Sequence, residues 1–221
     1  PDLTGYETRD LLAHGVSMNT IQAICIGDEL LDGRISDENA TWLAGELAER
    51  GRMLDAMMVV PDDRPRIVEA LEYGSRTADV IVVCGGLGPT ADDLTRHAAA
   101  DWVDDNLELD PDILEQLRQR FTARGYPFTD NNRRQCEFPE SARVLDTEVG
   151  TAAGFELQKD GTRALFLPGV PPEFRWFCER YVLAQFESAQ DATQSRRFEF
   201  FGVGESALET KLTGIVELAE S

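Results

Sequence analysis

Residues 79–95 read DVIVVCGGLGPTADDLT, and this stretch decides the fold. Val80 to Cys84 is apolar without alternation, the pattern of a parallel strand covered on both faces. Glycines at 85, 86 and 88 break the strand, and a helix pattern follows over about 91–103. Strand, glycine loop and helix in that order form one unit of a doubly wound sheet.

The flanking segments repeat the unit. TIQAICI (20–26) reads as a buried strand ending at Gly27. DENATWLAGELAER (37–50) reads as a helix with Ser36 as N-cap and Gly51 as C-cap. MLDAMMVV (53–60) is a second strand, and Pro65 opens a helix to about Ser75. Asp110 caps a helix over 111–124. The region 125–170 changes to short alternating runs with Gly and Pro, so a small β-rich appendage is expected there. Gln158-Lys159-Asp160-Gly161 forms its hairpin turn, and the chain rejoins the main sheet at 163–167. A long helix over 172–187 and a polar linker, 188–195, lead to a final strand, turn and helix over 196–221. The expected fold is therefore α/β: a three-layer α/β/α doubly wound, mostly parallel sheet with a small β-rich appendage. Residues 1–17 read as an N-terminal extension, 18–190 as the main domain and 191–221 as the start of a linker or second subdomain.

Composition limits the function. The 221 residues carry 41 Asp+Glu against 21 Lys+Arg, a formal charge of −20. Such a surface repels phosphate backbones and anionic membranes, which argues against nucleic-acid and membrane partners. Only Lys159 and Lys211 are lysines, a bias shared by salt-adapted proteins and by GC-rich coding. Cys25, Cys84, Cys136 and Cys178 are far apart and form no C-x-x-C pair, so they read as buried reduced thiols of a cytoplasmic protein. Two histidines, His14 and His97, are too few for a zinc site.

In such sheets ligands gather beyond the carboxyl ends of the strands, which directs attention to four loops. Gly85-Gly86-Leu87-Gly88-Pro89-Thr90-Ala91-Asp92-Asp93 is neither a Walker loop nor a G-x-G-x-x-G fingerprint. Its glycines let backbone N–H groups approach an anion, while Asp92 and Asp93 would repel one. A divalent cation shared between carboxylates and phosphate resolves the conflict. Thr90-x-x-Asp93 also fits a plain helix capping box. Gly27-Asp28-Glu29 reads as an acidic site or a solvated loop, and Asp62-Asp63 as a site or an N-cap. Leu167-Pro168-Gly169-Val170-Pro171-Pro172-Glu173 reads as a proline-rigid site loop or a simple turn.

Together, GDELLDGRISDENA (27–40), VVPDD (59–63), GGLGPTADDLT (85–95), NRRQCEFPE (132–140), VGTAAGF (149–155), LPGVPPEF (167–174) and FFGVGES (200–206) resemble the N-terminal domain of the competence/damage-inducible (CinA) family. That domain belongs to the molybdopterin-binding, MogA-like superfamily, and the resemblance runs from about Asn19 to the end. It implies a pocket for a phosphorylated, nucleotide-like ligand. It implies catalytic roles for Asp62 and Asp93. Gly27, Asp28, Ser36, Gly85, Gly86, Gly88, Thr90, Pro168 and Gly169 would bind substrate, and Asp92, Asp93 and Asp28 would hold a divalent metal (Mg, Mn or Co). It implies a homo-oligomer, dimer or trimer. Thr147, Ala153 and Cys136 stand where family members usually carry Asn, Pro and Ala.

The function expected is metal-dependent hydrolysis of ADP-ribose or a similar dinucleotide to AMP and a sugar phosphate. The alternatives are a molybdopterin-binding protein or molybdopterin adenylyltransferase, and a non-catalytic nucleotide sensor in competence or DNA-damage physiology. The family's nicotinamide mononucleotide amidohydrolase domain is absent from these 221 residues.

Overall fold

The computed structural model describes residues 20–145, 147–186, 201–210 and 212. The extension 1–17, the linker 188–195 and the strand expected from 196 lie outside or mostly outside these residues. The chain runs β1 (Ile21–Ile26), α1 (Asp28–Leu31), α2 (Asn39–Glu49), β2 (Ala56–Val60), α3 (Arg64–Thr77), β3 (Val80–Cys84) and α4 (Thr95–Val103). It continues through β4 (Leu107–Leu109), α5 (Pro111–Ala123), β5 (Glu137–Pro139), β6 (Arg143–Leu145), β7 (Gly154–Lys159), β8 (Thr162–Leu167) and α6 (Pro171–Phe177).

The main sheet has the order β2-β1-β3-β8-β7-β6. β2, β1, β3 and β8 are parallel, whereas β7 and β6 are antiparallel additions. β4 and β5 pair separately as a two-stranded antiparallel ribbon. Alternate residues of the central strands feed opposite layers. Ala23, Cys25, Val82 and Leu165 pack with Leu43 and Leu47 of α2 and Phe174 and Phe177 of α6. Ile24, Ile81, Val83 and Phe166 pack with Ile67 and Leu71 of α3 and Trp102 of α4. Period-two strands burying both faces under helices give the three layers expected.

Local chemistry sets the boundaries. Pro65 and Pro111 start helices whose N-caps, Asp63 and Asp110, accept from backbone amides. Asp160 and Gly161 take φ of 52° and 89°, the two-residue turn that joins β7 to β8. All four cysteines are free and buried, as expected. Among the described residues no helix is long and apolar enough to cross a membrane.

Four boundaries differ from the sequence reading. Ser36 is not the cap of α2: the Asp37 carboxylate accepts from the amides of Asn39 (3.1 Å) and Ala40 (3.2 Å), so the helix starts at Asn39. The second strand starts at Ala56 rather than 53, because the Asp55 carboxylate takes the Ile21 amide at 2.7 Å and holds the chain off the ladder. α4 starts at Thr95 rather than 91, since Asp93 folds the residues before it into a turn. The last long helix is regular only to Phe177 and then widens over Cys178–Val182. There the Tyr181 carbonyl accepts from Arg163 at 3.4 Å and from the Gln185 side chain, which displaces the regular ladder.

Candidate functional site

A cavity of about 640 Å³ opens at the carboxyl ends of β1, β3 and β8. The site thus lies where a parallel sheet places it, above strand ends that point backbone toward the ligand. Gly27, Ser36, Asp62, Gly85, Gly86 and Gly88 line it, as do Asp92, Asp93, Pro168 and Gly169. Asp28 and Thr90 do not. The Asp28 side chain turns to β2, accepting from the Asp62 amide at 3.3 Å, while Asp62 accepts from the Asp28 amide at 3.0 Å. This reciprocal pair joins the loops after β1 and β2, so Asp28 positions Asp62, and Glu29 lines the cavity instead.

The glycine loop needs its glycines. Gly85 and Gly86 have φ of 106° and 65°. A Cβ on Gly85 would overlap the Ile26 carbonyl, and one on Gly86 would overlap the Thr95 hydroxyl. Asp93 sets the loop's remaining shape. Its carboxylate accepts from the Gly88 amide (2.7 Å), the Thr90 amide (2.8 Å) and the Thr90 hydroxyl (2.5 Å). This corrects two expectations. Asp93 is engaged by its own loop rather than open to a cation, and the Gly88 amide is not available to phosphate. The Gly85 amide is engaged as well, by the Leu167 carbonyl at 3.1 Å. Within residues 85–88, the amides of Gly86 and Leu87 donate to no protein group and are the ones open to an anion.

The side-chain electrostatics are one-sided. Glu29, Asp37, Glu38, Asp62, Asp92, Asp93 and Glu173 all line the cavity, and among the described residues no Lys, Arg or His does. Burial pushes the Asp62 carboxyl up, and the charges of Glu29, Asp28 and Asp92 push it further, against the hydrogen bond from the Asp28 amide. Burial also raises the Glu173 carboxyl, which sits beside the amides of Ala152 and Thr151. One buried cation sits behind the wall. Arg96 is buried, donates to the carbonyls of Leu87 (2.9 Å) and Gln135 (3.2 Å), and stacks over Phe138. Burial pushes its pKa down to about 10, so it stays charged at neutral pH.

Among the described residues no group of three or more His, Cys, Asp or Glu side chains could hold a metal ion alone. Asp92, Asp93 and Asp28 therefore do not form a cage. The donor set still suits a hydrated, hard cation held by a single carboxylate, Asp92, and completed by ligand phosphates.

Sequence reasoning missed Gln135, Thr151, Ala152 and Glu173, which reach the cavity from the appendage and α6. Only Glu173 carried a local signal, as the acid of LPGVPPE. The three departures from family pattern do not line the cavity. Cys136 packs with Leu114 and Leu117, Ala153 lies in the core, and the buried Thr147 hydroxyl accepts from the Val149 amide at 3.0 Å.

Comparison with known proteins fits this geometry. The family described as "Probable molybdopterin binding domain" matches residues 22–187. A CinA-like protein of Myxococcus xanthus is 36% identical over 195 residues, covering 86% of this chain and 46% of the relative. A CinA-like protein of Rippkaea orientalis is 36% identical over 201 residues, covering 89% and 48%. The chain thus spans about half the length of the curated relatives it matches. The crystal structure of the protein CinA from Thermoplasma acidophilum superposes with a TM-score of 0.67 at 30% identity, covering 73% of this chain and 94% of that one. A glycine loop at the carboxyl edge of a β2-β1-β3-β8 sheet, with 166 consecutive residues under one family description, leaves one assignment: the chain belongs to the molybdopterin-binding domain family, on its CinA-like side.

Proposed function

We propose that the cavity binds a nucleoside diphosphate sugar of the ADP-ribose type as its divalent-metal complex and hydrolyses the diphosphate. One observation carries the reading: among the described residues, seven carboxylates and no basic side chain line a cavity into which the glycine loop presents open backbone amides. A bare diphosphate would be repelled there, whereas a metal-complexed one meets hard oxygen donors and an amide cradle together. The volume, about 640 Å³, suits a ligand of dinucleotide size.

The residues divide the work. Gly86 and Leu87 present their amides to a phosphoryl oxygen, and Arg96 behind Leu87 keeps that wall positive. Asp62, raised in basicity by burial and by neighbouring acids, takes a proton from the attacking water. Asp28 fixes the direction of Asp62, and Asp93 fixes the loop. A divalent cation, held by Asp92 and the ligand phosphates, would neutralise the phosphates and acidify nearby water. The water oxygen joins one phosphorus, and the bridging oxygen leaves on the other phosphate, giving AMP and a sugar phosphate.

The test is incubation with ADP-ribose and Mg²⁺, Mn²⁺ or Co²⁺, following AMP. Turnover that is abolished by chelator and in Asp62→Asn, with folding intact, supports the reading. Tight molybdopterin binding without AMP release would instead favour the role named in the family description, and nucleotide binding without turnover in any metal would favour a sensor.

A further inference from the structure

The large cavity has an apolar lip that the diphosphate chemistry leaves unused. Ile35, in the loop before α2, and Val170, in the loop before α6, both line it, and each is 53% exposed. Branched aliphatic side chains left open among carboxylates form an apolar patch with a polar surround, the composition of a ligand groove. The two loops are joined by Asn39. Its Nδ2 donates to the Gly169 carbonyl at 2.8 Å and to the Cys84 sulfur at 3.1 Å. A carbonyl only accepts, so this bond fixes which way the amide group faces. Asn39 lines the cavity and is 7% exposed. Its Oδ1 is buried and, among the described residues, has no hydrogen-bond partner. A buried acceptor left unpaired costs free energy that a ligand donor can return. The neighbouring lining side chains, Asp37 and Glu38, are acceptors as well.

We propose that the lip and Asn39 form a base slot: Ile35 and Val170 hold the faces of a planar nucleobase, and Asn39 Oδ1 accepts from an exocyclic amino group on its edge. The faces of a base are apolar enough to cover the two aliphatic side chains, whereas a sugar or phosphate would leave them wet. The edge is selected by charge and hydrogen bonding. An amino group donates to Oδ1, and a carbonyl in the same place sets acceptor against acceptor. The slot therefore takes nucleotides with amino-bearing bases, such as adenine, over their deaminated forms, such as hypoxanthine. It adjoins the glycine loop, since a Cβ on Gly169 would lie 3.3 Å from the Gly85 Cα. One ligand can thus reach both parts. The slot rests on the reading above for the place of the diphosphate, and adds which nucleotide is chosen.

The test is equilibrium binding to the full chain in Mg²⁺, with release of AMP and IMP followed in parallel. The probes are ADP-ribose and IDP-ribose, which differ only in the deamination of the base. Wild type is expected to bind ADP-ribose at least about tenfold more tightly. Asn39→Ala is expected to bind both alike. Ile35→Ser/Val170→Ser changes two exposed positions, so its circular dichroism should match wild type. It is expected to lose at least about tenfold for ADP-ribose and to keep wild-type affinity for magnesium pyrophosphate, which has no base. Equal binding of the two nucleotides by wild type would overturn the slot. So would a preference that survives Asn39→Ala, or a lip variant that weakens pyrophosphate as much as ADP-ribose or weakens neither. A preference for ADP-ribose without AMP release would support the slot and overturn the proposed hydrolysis, and AMP release without a preference would do the reverse. Binding of neither nucleotide would overturn both.

Discussion

Asp93→Asn separates a structural carboxylate from a chemical one. In the folded protein both oxygens of Asp93 accept, one from the Gly88 amide at 2.7 Å, the other from the Thr90 amide at 2.8 Å and hydroxyl at 2.5 Å. Asparagine keeps one oxygen. Its amide group must face either the Gly88 amide or the two Thr90 donors, so donor meets donor. At least one charge-assisted bond, worth about 1.5–3 kcal/mol, is lost and one amide is stranded. Asp93 is only partly buried, and solvent recovers some of the cost, leaving roughly 2–3 kcal/mol. Calorimetry should therefore record a Tm lower by about 5–10 °C for a chain of this size. Thr90→Val, which removes only the hydroxyl donor, should fall by less than half as much. A variant that keeps the wild-type Tm but loses turnover would refute this assignment and return Asp93 to the chemistry.

Other changes give distinct signatures. Asp62→Asn should abolish AMP release while leaving the fold intact. Because the folded carboxyl is raised, its favourable contribution is present below the unfolded value of about 3.9 and fades as pH rises through the folded value. The variant should therefore be a few tenths of a kcal/mol more stable than wild type at neutral pH and low salt, the modest scale of a half-exposed group, as urea titration would show. Glu156→Ala strands Arg163, whose side chain is 10% exposed, and should cost about 3 kcal/mol in the same titration. Burial alone would raise Glu156, but Arg163 and Arg143 hold it below the ordinary carboxylate range. Its contribution is thus complete above an unfolded value of about 4.3 and is lost as pH falls through the folded value, so wild type and Glu156→Ala should converge in acid. Gly86→Ala forces a Cβ into the Thr95 hydroxyl at φ 65° and should weaken nucleotide binding at least about tenfold by calorimetric titration, with about 2 kcal/mol lost in stability.

The fold was legible because its signals are local. Val80–Cys84 and Ile21–Ile26 are apolar runs between breakers, and Pro65, Pro111 and Asp160-Gly161 act on their own backbone. The site was legible only as far as its loops. Thr90-x-x-Asp93 fits a capping box and a cation site equally, and only the start of α4 at Thr95 shows that Asp93 closes a turn. Asp28 and Glu29 are adjacent acids, and which of them faces the cavity depends on the single turn of α1 and on Asp62, 34 residues away. Gln135 and Thr151 enter through tertiary packing, which leaves no trace in their own neighbours.

On the proposed reading, the placement of Arg96 explains how an acidic cavity could hold phosphate. A guanidinium inside the cavity would bind any phosphate and would ion-pair with Asp62 or Asp92 when the site is empty. Behind the wall it does neither, because its Nη1 and Nη2 donate to the Leu87 and Gln135 carbonyls. Its charge offsets that of Asp93 and is felt through Leu87, whose amide is an open donor of the glycine loop. The attraction for one phosphoryl oxygen is then short-ranged, while the seven lining carboxylates repel every anion that arrives without a cation. On the proposed reading, discrimination between free and metal-complexed diphosphate follows from the separation of this buried cation from the acids that line the cavity.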